Sequence, residues 1–195
     1  VLIGAHPSYP DKEGFGRTAM KMSRVELSAT MLQQVRALAA IARERGVALS
    51  HLKPHGALYN TAARDEDISR TIVDVTIQSR IPLLIGPPNS RLEMAARQAG
   101  LPYLAEGFAD RAYEASGDLT PRTMEGAVIA LDEDRVRQAV QIASTEYVTT
   151  RTGETIALPV RTICVHGDTP GALASARAIR DALLQAGISI TAVEP

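Results

Sequence analysis

Short apolar runs that stop at glycine or proline alternate along most of this sequence with longer stretches whose apolar residues recur at helical spacing. A chain with that rhythm buries strands on both faces and returns between them through helices, the pattern of a parallel α/β sheet. The expected strands are 1–5, 48–52, 82–86, 102–106 and 161–166. Ser23-Arg24-Val25-Glu26 has the form of a capping box. The helix it opens carries Met31, Leu32, Val35, Leu38, Ala39 and Ala42 on one stripe and stops at Gly46. Further helices are expected over 65–80, 90–98 and 132–144, and a last one with Thr169 as N-cap, Pro170 at its first position and Gly187 at its end. Gly153 between two β-prone runs predicts a hairpin, and 188–193 predicts a final strand.

Polar side chains gather where the strands end. Alternation puts Leu49, His51, Lys53 and His55 on one face of the second strand, and Pro54 has no N–H with which to extend a central ladder. His6, His55 and His166 fall at the C-terminal ends of three expected strands, and Glu106 ends a fourth. In α/β folds that end is where ligands bind, so the expectation is one mouth lined by these groups. Each of them could instead be satisfied by a neighbouring loop, and His51, deeper in its strand, reads as a core residue. Lys53 is suited to neutralising an anion or a developing oxyanion, or else to an ion pair with Glu106 or Asp110. Arg17 and Arg111 have the fork that grips a carboxylate, in competition with simple solvation. The loop 6–17 and the polar stretch 107–122 are both too shaped or too long for plain turns, and both read as functional. Asp168 precedes the last helix, where capping does not require it.

Composition removes several classes. The formal net charge is −1 and the pI about 6.5, which leaves no basic surplus for nucleic acid or an acidic membrane. No apolar run is long enough to span a bilayer, and no signal peptide is recognised. The single cysteine, Cys164, forbids an internal disulfide and fits a reducing compartment, so a cytoplasmic protein is expected. The glycine-rich phosphate loop and structural zinc spacings are both absent.

Four separated motifs carry a resemblance. They are Ile3-Gly4-Ala5-His6-Pro7-Ser8-Tyr9-Pro10-Asp11 with Gly14-Phe15-Gly16-Arg17, then Lys53-Pro54-His55-Gly56-Ala57-Leu58-Tyr59-Asn60, Phe108-Ala109-Asp110-Arg111-Ala112-Tyr113, and Val165-His166-Gly167-Asp168-Thr169-Pro170-Gly171-Ala172. In that order they resemble the LamB/YcsF family, the A subunits of 5-oxoprolinase, over essentially the whole chain. The resemblance implies a single (β/α) barrel of the glycoside hydrolase and deacetylase type spanning 1–195. It also implies ATP-dependent opening of 5-oxoproline to L-glutamate in company with 5-oxoprolinase subunits B and C, with the ATP site on or shared with those partners. Association of the chain with itself is left open.

Family members begin with Asp-Leu-Asn-x-Asp-Leu-Gly-Glu and carry a later Gly-Phe-His-Ala-Gly-Asp. Neither is in this sequence, so a barrel lacking about its first two strands, and inactive as it stands, is expected. Smaller departures are Thr18, Gly107 and Pro87-Pro88. The residues expected to carry the chemistry are Lys53, His55, Glu106 and His166, with substrate contacts from His6, Arg17, Tyr59, Asp110, Arg111 and Asp168. Two other readings are a metal-dependent deacetylase or amidohydrolase, with His6 as a candidate ligand of a divalent metal, and a non-catalytic subunit that only holds substrate.

Overall fold

The computed structural model of the protein describes residues 1–168 and 171–192. They form two compact units, Val1–Leu104 joined by Ala192, and Ala105–Thr191. The first unit contains β1 (Ile3–Ala5), α1 (Arg24–Glu44), β2 (Leu49–Leu52), α2 (Gly56–Ala62), α3 (Glu66–Gln78), β3 (Leu84–Gly86), α4 (Arg91–Gln98) and the opening residues of β4 (Tyr103–Phe108). β1 and β3 pair in parallel with β2 on either side, with Gly4 opposite His51 and Leu52 opposite Leu84. Leu84 N–H donates to Pro102 O at 3.0 Å where the chain enters β4. Leu27, Met31 and Val35 of α1, Ile72 and Val75 of α3, and Leu92 and Ala96 of α4 form one buried cluster with Leu52 and Leu84.

The helix signals lie where the sequence puts them. Ser23 caps α1 with both halves of the capping box made, and Asp65 and Ser90 accept the Ile68 and Glu93 N–H groups at the starts of α3 and α4. Two expectations for this unit need correction. Val1, Leu2 and Ile3 are exposed rather than buried, because apolar character buries a strand only where elements cover it. Helix α2 was not expected. At seven residues it is too short to display a helical period, and Gly56, at φ 59°, turns the chain into it while Ala57, Leu58 and Tyr59 go straight into the core.

In the second unit β4 continues to Phe108 and pairs in parallel with β7 (Thr162–Cys164), Glu106 lying opposite Thr162 and Phe108 opposite Cys164. Helices α5 (Asp132–Thr145) and α6 (Ala172–Gln185) pack through Ala139, Ile179 and Leu183 against Ile163 and Val165. The expected hairpin is present as β5 (Tyr147–Thr149) antiparallel to β6 (Thr155–Ala157). Gly107 has a packing reason: a Cβ there would stand 3.2 to 3.4 Å from Val160, Ile142 and Leu158, whose side chains occupy that space. The stretch after β4 is held in shape by the buried guanidinium of Arg111, which donates to Ala127 O and Thr120 O. Residues 188–192 are not a strand. Ile188 instead packs on the α5–α6 cluster, an apolar use of a β-prone residue. Helix α6 begins at Ala172 with Gly171 as its N-cap at φ 82°, so it starts later than expected, and Thr169, Pro170 and Val193 lie outside the described residues.

Ser23→Ala removes one half of the capping box and leaves the core untouched. It should lower the stability of the fold by about 1 kcal/mol, read as a lower denaturation midpoint at unchanged m-value.

Candidate functional site

Each unit brings polar side chains together at the C-terminal ends of its parallel strands. In the first unit the ladder between β1 and β2 runs on past both strands, with Lys53 N–H donating to Ala5 O at 2.9 Å and His55 N–H to Pro7 O at 2.8 Å. Pro54 falls between them, at the position whose N–H would point away from β1, as that of Leu52 does when it donates to Leu83 O. Proline therefore ends pairing with β3 while β1 stays bonded. The outcome is that His6 and His55 stand side by side. His6 Nδ1 is 2.7 Å from Lys53 O, His55 Nδ1 is 3.0 Å from His6 Nε2, and His55 Nε2 is 2.8 Å from Phe15 O.

The loop that delivers Phe15 O is shaped by Asp11, whose carboxylate accepts the Gly14 N–H at 2.8 Å and the Thr18 N–H at 3.1 Å. The Thr18 side-chain hydrogen bond and the Gly14 N–H hold the Asp11 carboxyl below its usual range. Phe15 and Gly16 take left-handed φ of 55° and 68°, and the Phe15 ring meets His55 edge-on at 5.1 Å. Gly16 O accepts the Ala57 N–H at 2.9 Å, and a Cβ on Gly56 would lie 2.4 Å from that same oxygen. Only glycine fits there. Arg17 lies over the Phe15 ring at 5.2 Å, and Lys53 Nζ is 5.9 Å from the ring centroid of the buried Tyr59. His51 is turned over Gly4, where a Cβ would be 2.0 Å from its Nε2, and burial, then the Lys53 charge, pushes its imidazole down.

In the second unit, Asp110 (3% exposed) accepts the His166 backbone N–H at 3.0 Å and faces His166 Nδ1 at 2.9 Å. Burial pushes the Asp110 carboxyl up, but the His166 side chain and backbone together outweigh it and hold the group below its ordinary value. Phe108 stacks on the His166 ring at 5.6 Å. A carboxylate on Nδ1 sets the tautomer, leaving Nε2 as the basic nitrogen. Glu106 is buried nearby in the chain, and its charge, after burial itself, helps raise the Tyr113 phenol, whose oxygen accepts the Phe108 N–H at 2.8 Å. Asp168 is exposed.

Of the sequence-expected residues, His6, Lys53, His55, Arg17 and Tyr59 gather in the first unit, and Asp110 with His166 in the second. Arg111 turns two of its donors to its own loop. The Phe15 carbonyl and the Asp110 hydrogen bond to His166 were not foreseen, because neither a backbone acceptor nor a partner 56 residues away leaves a local signal. As for a metal, no group of three or more His, Cys, Asp or Glu side chains suited to hold one is found among the described residues. The described residues do not by themselves fit a metal. No helix among them is long and apolar enough to cross a membrane.

The model of the LamB/YcsF family matches residues 1–195. The chain belongs to the LamB/YcsF family. Similar family members include two proteins named as the A subunit of 5-oxoprolinase. The one from Chloroflexus aggregans is 49% identical over 97% of this chain and 76% of the relative, and the one from Symbiobacterium thermophilum is 47% identical over 98% and 74%. Among solved structures, the lactam utilization protein from Thermus thermophilus superimposes with a TM-score of 0.87 at 40% identity, over 99% of this chain and 77% of that one. The LamB/YcsF motifs coincide with the two clusters: the histidines and Asp110 belong to them, as do the glycines that Phe15 and Gly56 depend on.

A carboxyl held low in the folded state contributes stability that is present above its unfolded value, about 3.9, and is lost as pH falls through the folded value. Asp110→Asn should therefore destabilise the protein by about 1–3 kcal/mol at neutral pH, with a gap to wild type that narrows in acid below about pH 4. Gly56→Ala, which meets both a left-handed φ and the Gly16 carbonyl, should be destabilised at every pH by at least about 1–2 kcal/mol. Chemical denaturation at several pH values distinguishes the two.

Proposed function

We propose that this chain is the A subunit of a multi-subunit 5-oxoprolinase that opens 5-oxo-L-proline to L-glutamate with ATP. The observation that carries the reading is 43 to 49% identity to 5-oxoprolinase A subunits across nearly the whole chain. The TM-score of 0.87 to a lactam utilization protein, whose name points to the same bond, supports it. That likeness also supports reading the βα succession as belonging to one (β/α) barrel of the glycoside hydrolase and deacetylase type.

ATP, when bound, supplies the driving force for opening a resonance-stabilised lactam. The phosphate-cradling glycine loop is absent from the sequence, and the nucleotide is assigned to a site on or shared with the partner subunits, named B and C in this reading. What this chain contributes is placed polar chemistry. His166, with Nδ1 turned to Asp110, offers Nε2 as the general base that takes a proton from water, and Asp110 is its positioning residue. Lys53 supplies a positive charge for oxygen developing negative charge, with His55 and His6 beside it. Arg17, Tyr59 and Asp168 are assigned to substrate contacts. Glu106 and Arg111, both buried, are assigned to shaping the β4 end.

Full-length protein reconstituted with its partners should release glutamate from 5-oxoproline and ATP. His166→Gln should lower kcat by about 10²–10⁴-fold. Asp110→Asn should lower kcat and shift the acidic limb of the pH profile, the limb on which a general base must be free of its proton. Turnover that survives both His166→Gln and the pair Lys53→Met with His55→Gln would leave the chain a substrate-holding subunit. ATP-independent amide cleavage that requires a stoichiometric metal would replace the reading with a deacetylase.

A further inference from the structure

The buried carboxylate that faces His166 sits on a stretch of chain whose carbonyls turn toward one atom. Just past the end of β4, Ala109 N–H donates to Cys164 O at 3.0 Å. In an extended strand the carbonyls of successive residues point to opposite sides and cannot share a donor. Here Phe108 O lies 2.7 Å, Arg111 O 2.8 Å and Ala109 O 3.4 Å from Nε2 of Gln138, a half-buried residue of α5. The chain therefore bends around that amide, with Asp110 at the bend. Carbonyl oxygens only accept, so the nitrogen of Gln138 and not its Oε1 faces them; its two hydrogens serve the two short contacts, and the Ala109 contact is the long one. Arg135, one turn earlier on the same face of α5, adds to the hold: its Nε donates to Ile129 O at 2.7 Å, and Ile129 N–H donates to Asp110 O at 3.0 Å.

We propose that Gln138 is a positioning residue, which fixes the main chain on both sides of Asp110 so that one carboxylate meets the ring and the backbone N–H of His166 together. The demand on Asp110 is geometric. Its Oδ2 accepts the His166 N–H at 3.0 Å, and both of its oxygens lie 2.9 Å from His166 Nδ1. An aspartate has only two side-chain torsions, so where its oxygens can reach is set by where its backbone is held. Helix formation does not ask for glutamine at 138, since leucine has nearly the same helix propensity and similar bulk. What glutamine adds is a pair of donors, aimed at the carbonyls of Phe108 and Arg111 that flank Asp110. Only the kinetic consequence of this placement rests on the reading of His166 as general base given above; the placement itself does not.

Imidazole NMR of the full-length protein, labelled with ¹⁵N-histidine, tests the placement without substrate or partner subunits. The His166 ring is expected in its Nδ1–H form with a slowly exchanging Nδ1 proton, assigned by its loss in His166→Gln. Gln138→Leu, which removes both donors and keeps the bulk, should lose that slow proton and show a mixture of the two tautomers. Ser23→Ala, which lowers stability without touching this stretch, should keep it. In the reconstituted complex Gln138→Leu should lower kcat by about 10²-fold with KM for 5-oxoproline little changed. Should Gln138→Leu fail to fold, Gln138→Asn, which draws the amide back by one methylene, should lose the same signature, and the wild-type protein should show through-hydrogen-bond couplings from Gln138 Nε2 to the Phe108 and Arg111 carbonyl carbons. An unchanged His166 signature in the substituted protein, or no such coupling in the wild type, overturns the proposal. A lost signature beside an unchanged kcat, or a wild-type complex that opens no lactam, overturns the reaction proposed above and leaves the placement standing.

Discussion

The parallel ladder between β1 and β2 is the constraint on which the first cluster depends, and its decisive part lies beyond the strands themselves. Lys53 and His55 donate to Ala5 O and Pro7 O, while Pro54, alternating with them, has nothing to donate on the opposite side. One residue type thus frees the chain from β3 and leaves it bound to β1. Two loops that would otherwise diverge are held in strand register for a few residues more, and the imidazoles they carry have no choice but to meet.

The two clusters solve the same problem by different means. In the second unit a buried carboxylate reaches across from the end of β4 to orient a histidine beyond β7, and the side chain does the positioning. In the first unit backbone carbonyls orient both rings, so the loop conformation does it. Either acceptor fixes which ring nitrogen bears hydrogen, but only the carboxylate sets a negative charge beside its ring.

Much of this was legible in the sequence, for identifiable reasons. The cap at Ser23 uses side-chain chemistry that acts within one turn, so its four-residue motif suffices to read it, and the helices that Asp65 and Ser90 cap begin where the helical spacing puts them. Strand-end histidines are legible because alternation and a glycine or proline stop mark the end of each run. What could not be read depends on partners distant in the chain: Asp110 with His166, Arg111 with the carbonyls of Ala127 and Thr120, and the carbonyl of Phe15 with His55. The exposure of Val1, Leu2 and Ile3 is of the same kind, since hydrophobicity states a demand for cover and not its fulfilment. Ile188 had β propensity and used it for packing on helices instead.

The crossing of Gly16 and Gly56 has a further consequence. With the Gly16 carbonyl bonded to Ala57 N–H and no space for a methyl group at Gly56, main chain meets main chain where the loop 6–17 sits on the first turn of α2. Its outline is therefore nearly independent of the side chains at Lys12 and Glu13, which are exposed and shape nothing in it. Variation can accumulate at such positions without reshaping the cradle around His55, so the loop is free to diversify in surface charge while its inner face stays the same.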